Sequence, residues 1–123
     1  MPTTEIPRNE WSLFFDSFSL RHYRWPVDLD IAERNVHHDW FEADDLPLEG
    51  IYADEKGGEN TISISVGKTS EDLLRHEIAG ATSVRLEQTD DGFDKAIEIT
   101  SQTGKTVLAF RIPMRSNMLD DVA

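Results

Sequence analysis

The sequence predicts an α+β fold in which one N-terminal amphipathic helix packs on a mostly antiparallel sheet of six to eight strands. Aromatic residues with helical spacing come first, and alternating apolar and polar residues follow from about position 26 onward. The connections between the alternating segments are too short for βαβ crossovers, so the strands are expected to pair antiparallel. A strongly bent open sheet and a small barrel both fit this pattern, and we favour the barrel-like form.

The helix is predicted over residues 7–22. Pro7 is favourable in the first helical turn, and Pro26 biases the residue before it away from helical angles. An exposed aromatic face would be prone to aggregation, so this face is expected to pack against the sheet. The aromatic residues that follow the i, i+3, i+4, i+7 spacing of one helical face are Trp11, Phe14, Phe15 and Phe18.

The strands are predicted from their period of two. The clearest one has Ile62, Ile64 and Val66 alternating with polar residues. Pro47 limits its own segment to a strand start or an edge strand. The glycine-rich and acidic stretch 54–60 predicts a hairpin turn. The other strand-like segments are 27–32, 46–52, 82–88, 97–99 and 107–110.

Length and composition indicate one domain, 1–123, with an ordered core over about residues 5–113 and an acidic tail over about 115–123. The chain has no cysteine, which excludes disulfides, thiolate metal sites and cysteine nucleophiles. It shows neither the pattern of a secretory signal nor an apolar stretch of the roughly 20 residues that span a bilayer. We therefore expect a cytoplasmic protein.

Charge excludes two classes of partner. Twenty-four acidic residues against 12 basic ones give a formal net charge of -12, which repels nucleic-acid phosphates and anionic membrane surfaces. Acid excess with few lysines is also typical of proteins that work at high salt, where screening removes the self-repulsion. An ordinary acidic protein kept soluble by its charge is the alternative.

Several stretches resemble a family of small bacterial proteins known only as a domain of unknown function. The resemblance extends over about residues 5–112, which supports a single domain, and it implies no activity or catalytic residue. The stretches that carry it are Ile6–Trp11, Phe14–Ser19, Leu46–Ile51, Ile62–Ile64 and Leu86–Thr89.

Metal binding and catalysis have little support. His37 and His38 are weak candidates for metal ligands, because neighbouring residues on a strand point to opposite faces. Neither the serines nor the paired carboxylates have the spacing of a known catalytic motif. We predict no catalytic residue and no cofactor, and we incline towards a protein that is not an enzyme.

Binding to another protein is better supported. Segment 28–59 has eleven acidic residues against only Arg34 and Lys56, and a tryptophan among carboxylates is a reasonable anchor for a basic protein or a cationic ligand. The alternative is that both tryptophans simply cover the junction between helix and sheet. The candidate binding residues are Trp25, Trp40, Asp44, Asp45 and Glu49.

We therefore predict a non-catalytic protein-interaction module. The second interpretation is a small-ligand-binding protein or small hydrolase with a pocket between helix and sheet, near Trp25, His37 and Trp40.

Overall fold

A computed structural model of the chain describes residues 3–33, 42–54, 60–69, 71–102 and 104–115. Within these ranges one α-helix, preceded by a turn of 3-10 helix (Arg8–Glu10), accompanies eight strands, which confirms the predicted α+β class. The elements are β1 (Thr3–Glu5), α1 (Trp11–Arg21), β2 (Pro26–Glu33), β3 (Glu42–Asp54), β4 (Thr61–Val66), β5 (Leu74–Ile78), β6 (Ala81–Gln88), β7 (Phe93–Ser101) and β8 (Gly104–Arg115).

All eight strands belong to one antiparallel sheet with the order β1-β6-β7-β8-β2-β3-β4-β5. Only two residues, Ala79 and Gly80, connect β5 at one edge with β6 near the other edge. The sheet must therefore bend until its two ends approach each other, and Gly80 supports the sharp turn with a φ of 67°. The edge strands β1 and β5 do not pair with each other within the described residues, so the bent open sheet is found and our preference for the barrel-like form is wrong.

β3 changes its pairing partner along its length. Its first part pairs with β2, ending where Pro47 lies opposite Pro26, and its second part pairs with β4 from Leu48 onward. Pro47 is therefore inside a long strand, and the expectation of a strand start or an edge is wrong. Proline is tolerated there because its missing N–H falls where β3 changes its hydrogen-bonding partner.

Helix α1 confirms the predicted segment and buries its aromatic face. Trp11, Phe15 and Phe18 are almost fully buried, while Phe14 is half-buried against the same core. They pack on the inner face of the sheet, where the alternating apolar residues of the strands meet. The strand residues of this core include Val27, Leu29, Ile31, Leu48, Ile51, Ile62, Ile64, Val66, Val84, Ile97, Ile99, Leu108 and Phe110.

The chain around α1 covers the edge of β3 that β2 leaves unpaired. The Leu48 N–H donates to the Trp25 carbonyl at 2.9 Å, and the Arg24 N–H donates to the Leu48 carbonyl at 2.7 Å. Further along, the Ser19 hydroxyl donates to the Ile51 carbonyl at 3.0 Å and accepts from the Ile51 N–H at 2.8 Å. The serine thus satisfies both backbone groups that a neighbouring strand would otherwise pair. These bonds hold α1 alongside the second part of β3.

Two strands were not predicted. β1 and β5 lie at the two edges of the sheet, and their sequences have few buried apolar residues. The hairpin connection between β3 and β4 agrees with the paired register of Asp54 and Thr61. Its central residues, 55–59, lie outside the described part of the chain, as does most of the predicted tail.

Candidate functional site

A cleft of about 330 Å³ lies between α1 and the second part of β3. It exists because the Ser19–Ile51 hydrogen bonds hold the helix beside the strand while larger side chains stand on either side. The residues that line the cleft are Asp16, Ser19, Leu20, Tyr23, Glu49 and Tyr52. Two of them are acidic, two are tyrosines and none is basic.

The helix side of the cleft is an exposed stripe of three apolar or aromatic residues and one aspartate. Leu13, Asp16, Leu20 and Tyr23 recur with spacings of three and four residues, so they share one face of the helical segment. Leu20 is 77% exposed, and Leu13 and Tyr23 are also exposed. Scattered exposed apolar residues are ordinary, but a contiguous group bordering a cleft is typical of an interaction site.

The strand side is built around Glu49 and Tyr52. The Tyr52 hydroxyl donates a long hydrogen bond of 3.5 Å to Glu49 Oε1, and the tyrosine ring lies over Gly50. A Cβ at Gly50 would collide with the ring and hydroxyl of Tyr52. Glycine at this position therefore lets Tyr52 fold back along the strand towards Glu49.

Glu49 has an unsatisfied carboxylate oxygen. Its Oε2 is buried and has no hydrogen-bond partner among the described residues, although the side chain as a whole is half-buried. A buried carboxylate oxygen without a donor is unfavourable. Glu49 and Asp16 also make the cleft acidic, which favours a cationic ligand over an anionic one.

The environment also affects Tyr52. Desolvation raises the pKa of Tyr52 above its ordinary value of 10.0, and the charge of Glu49 and the hydrogen bond to Glu49 raise it further. The phenol therefore stays neutral at physiological pH. It keeps both its hydrogen-bond donor and the electron-rich ring face that attracts cations.

A second group of polar residues is buried in the core. His22 Nε2 lies 3.2 Å from Asp94 Oδ2, and the two side chains are 0% and 1% exposed. The second oxygen of Asp94 accepts from Gln88 Nε2 at 2.9 Å. The imidazole also stacks on the rings of Phe18 and Phe110, at centroid distances of 4.2 and 5.0 Å.

The Phe18 carbonyl lies 2.9 Å from His22 Nδ1 and can only accept a hydrogen bond, so this contact requires a proton on Nδ1. The alignment of Nε2 and Oδ2 is not that of a good hydrogen bond, and neither atom has another partner within the described residues. A histidine–aspartate pair this deeply buried is inaccessible to a substrate and acts within the fold.

A second, smaller cavity has a volume of about 180 Å³. It is bordered by β5 and by residues of β2, β7 and β8, and His76 and Lys105 are among its polar side chains. No group of three or more histidine, aspartate or glutamate side chains in the described ranges is arranged to hold a metal ion.

The predicted binding residues are only partly brought together. Glu49 lines the cleft, whereas Asp45 is exposed on the first part of β3 with its N–H bonded to Asp28 Oδ1 at 2.8 Å. Trp25 is half-buried against the core and meets His22 edge-on at 5.9 Å. Trp40, His37 and His38 lie outside the described residues, and the side chain of Asp44 is not described.

Sequence reasoning missed most of the cleft. Asp16, Leu20 and Tyr23 lie on the helix face opposite the aromatic core residues, and the recurrence of apolar residues on that outer face was the available signal. No local sequence pattern predicts that Tyr52 lines the cleft, because its position depends on Gly50 and on the helix beside it.

The fold and cleft define a small α+β domain with a solvent-exposed acidic and aromatic groove. The chain belongs to DUF5335, a family of unknown function whose model matches residues 2–119. No curated protein and no solved structure matches the chain. Within the described residues, no helix is long and apolar enough to cross a membrane.

Proposed function

We propose that this domain is a non-catalytic interaction module that binds a basic segment of another protein in the cleft between α1 and β3. One observation carries the proposal: the buried Oε2 of Glu49 has no hydrogen-bond partner among the described residues, and those that line the cleft include Asp16 but none that is basic. A lysine or arginine side chain from a partner would satisfy that oxygen.

The apolar part of the cleft supports the same occupant. Lysine and arginine carry aliphatic stems below their charged ends, and such stems pack on apolar surface while the charge meets a carboxylate. Leu20 and the rings of Tyr23 and Tyr52 offer that surface. The tyrosine rings would add cation–π attraction of roughly 0.5–1 kcal/mol each at an exposed site.

The overall charge favours the same class of partner. A net charge of -12 attracts basic proteins over long distances and accelerates their association. The specific contact at Glu49 would then determine how long the complex lasts, since interface changes act mostly on dissociation.

The test uses short oligolysine, oligoarginine and oligoglutamate peptides, with binding followed by NMR signals of the cleft residues and by calorimetry. The two basic peptides should bind at the cleft, and their affinity should fall as salt is added. Glu49→Gln keeps the shape and removes the charge. It should weaken binding about tenfold or more, because a hydrogen bond to a charged group contributes roughly 1.5–3 kcal/mol.

Asp91→Asn is the matched control, since Asp91 is an exposed acid that does not line the cleft. It should change the affinity little. Equal binding by the Glu49→Gln and Asp91→Asn variants would show only diffuse charge attraction and would contradict the proposal.

A small cationic ligand is the second candidate, because about 330 Å³ is within the size range of small-molecule pockets. Binding measurements with arginine amide and tetramethylammonium distinguish a site for a small cation from a site for a basic protein segment. If these compounds bind as tightly as the basic peptides, the site is for a small ligand; if the peptides bind much more tightly, it is for a protein segment.

A further inference from the structure

Strand β5 forms one edge of the sheet and pairs only with β4 in the described part of the chain. An edge strand leaves a row of N–H and C=O groups that can pair with another strand. Short length, bulges and prolines usually protect such edges. β1, at the other edge, is only three residues long, whereas β5 has five residues, no proline and no bulge in its register with β4.

The two faces of β5 differ. Leu74, His76 and Ile78 lie opposite the buried residues Val66, Ile64 and Ile62 of β4, which places them on the inner face of the sheet. Arg75 and Glu77 alternate with them and therefore lie on the outer face, where both are exposed. Leu73 and Leu74 remain 39% exposed at this edge.

The sequence of β5 is complementary to itself. In an antiparallel pair of two β5 strands related by a two-fold axis at His76, Leu74 lies opposite Ile78 and Arg75 lies opposite Glu77. Each dimer would contain two Arg75–Glu77 pairs on the outer face, and on the inner face two Leu74–Ile78 pairs on either side of a central pair of His76 residues. We propose that β5 pairs with β5 of a second copy of this chain, which extends the sheet across a two-fold axis.

Charge complementarity selects this register. An axis at Arg75 would place the two arginines opposite each other, and an axis at Glu77 would do the same with the two glutamates. Like charges directly opposite on neighbouring strands are destabilising. A slip by one residue would place the inner residues on the outer face. Only the axis at His76 joins opposite charges and apolar residues at once.

The test measures self-association by analytical ultracentrifugation over a wide concentration range at moderate salt. The native chain should show a reversible monomer–dimer equilibrium. Arg75→Glu and Glu77→Arg should each weaken the dimer on the order of tenfold, because each change replaces two attractive cross-strand pairs by two repulsive ones. Both positions are exposed, and thermal melting checks that the variants remain folded.

Two further samples make the test specific to the register. The double variant Arg75→Glu/Glu77→Arg restores opposite charges at every pair and should recover the native affinity. An equimolar mixture of the two single variants should form a heterodimer tighter than either homodimer, since one chain then carries two acids and the other two arginines.

Overall repulsion predicts a different result. The Glu77→Arg change makes the chain less negative, so a dimer limited only by net charge would become tighter with this variant. Tighter association of Glu77→Arg, no recovery in the double variant, or a native chain that stays monomeric at every concentration would overturn the proposal.

Discussion

Asp94 and Glu49 are two carboxylates withdrawn from water in different ways. Both oxygens of Asp94 face groups of the same chain, with Gln88 at 2.9 Å on one side and His22 at 3.2 Å on the other. Glu49 has only the long hydrogen bond from Tyr52, and its second oxygen has no partner among the described residues.

The difference separates a structural role from a binding role. Burying a carboxylate is unfavourable unless donors and opposite charge compensate it. Asp94 obtains its compensation within the fold, from the Gln88 hydrogen bond and the adjacent His22 ring, although its Oδ2 is not aligned for a good hydrogen bond with that ring. For Glu49 the compensation is incomplete, and a cation from outside the molecule would supply it. Substitution of Asp94 should thus lower stability, whereas substitution of Glu49 should weaken binding.

The largest expected effect is that of Asp94→Ala on stability. The substitution leaves the buried His22 and the half-buried Gln88 without their partner, and breaking a buried pair typically lowers the free energy of unfolding by about 3 kcal/mol or more. Asp94→Asn should lose much less, since its amide can donate to His22 Nε2 and accept from Gln88. Urea denaturation of both variants measures the difference. Equal losses would show that the carboxylate charge, which both variants lack, matters more at this position than the hydrogen bonds that asparagine can keep.

The next largest effect is expected from removing the Ser19–Ile51 hydrogen bonds, which hold α1 beside β3 at the cleft. Ser19→Ala removes the hydroxyl that serves both backbone groups of Ile51, and should lower the free energy of unfolding by roughly 2 kcal/mol. Ser17→Ala is the matched control on the exposed side of α1 and should change stability by less than about 0.5 kcal/mol. Thermal melts compare the two. If both behave alike, the Ser19 bonds do not hold the helix in place.

Local patterns explain why the fold was largely predictable. The aromatic spacing from Trp11 to Phe18 and the alternation in β4 depend only on residues close in sequence, and both correspond to buried faces in the structure. β5 was missed because Leu74-Arg75-His76-Glu77-Ile78 has apolar residues only at its ends. An edge strand is half exposed, so its sequence lacks the pattern of a buried one.

The sites depend on contacts between distant parts of the chain. Glu49 was predicted as a binding residue because of the acidic segment around it, but nothing local indicates that α1 lies beside it. Neither His22 nor Asp94 stands out in the sequence, because no local pattern indicates that these two residues meet. Their pairing is a product of the strand order, which places β7 close to the end of α1.

The third prediction is that added salt stabilises the fold but weakens peptide binding in the cleft. Screening reduces the self-repulsion of a chain with net charge -12, so the melting temperature should rise between low and molar salt. The gain in stability should be on the order of 1 kcal/mol, and larger if the chain is adapted to high salt. Peptide binding at Glu49 should weaken over the same range. A melting temperature that falls with salt would contradict this view of the acid excess.

The smallest expected effect is that of Glu49→Gln on the unbound protein. Because Glu49 has little internal compensation, its loss should change the free energy of unfolding by no more than about 0.5 kcal/mol at neutral pH. The variant should nevertheless lower the pKa of Tyr52 towards 10.0, since it removes the charge that helps to raise it, while desolvation remains. Ultraviolet absorbance during an alkaline titration measures the tyrosine.

The raised pKa of Tyr52 also makes the stability of the fold depend on pH. A tyrosine whose pKa is raised in the folded state contributes stability that is complete below its unfolded pKa of 10.0 and is lost as the pH rises through the folded value. The native protein should therefore lose stability above about pH 10, and Glu49→Gln should lose less over that interval. If Glu49→Gln instead destabilises the protein at neutral pH as Asp94→Ala does, Glu49 supports the fold, and the distinction between the two carboxylates fails.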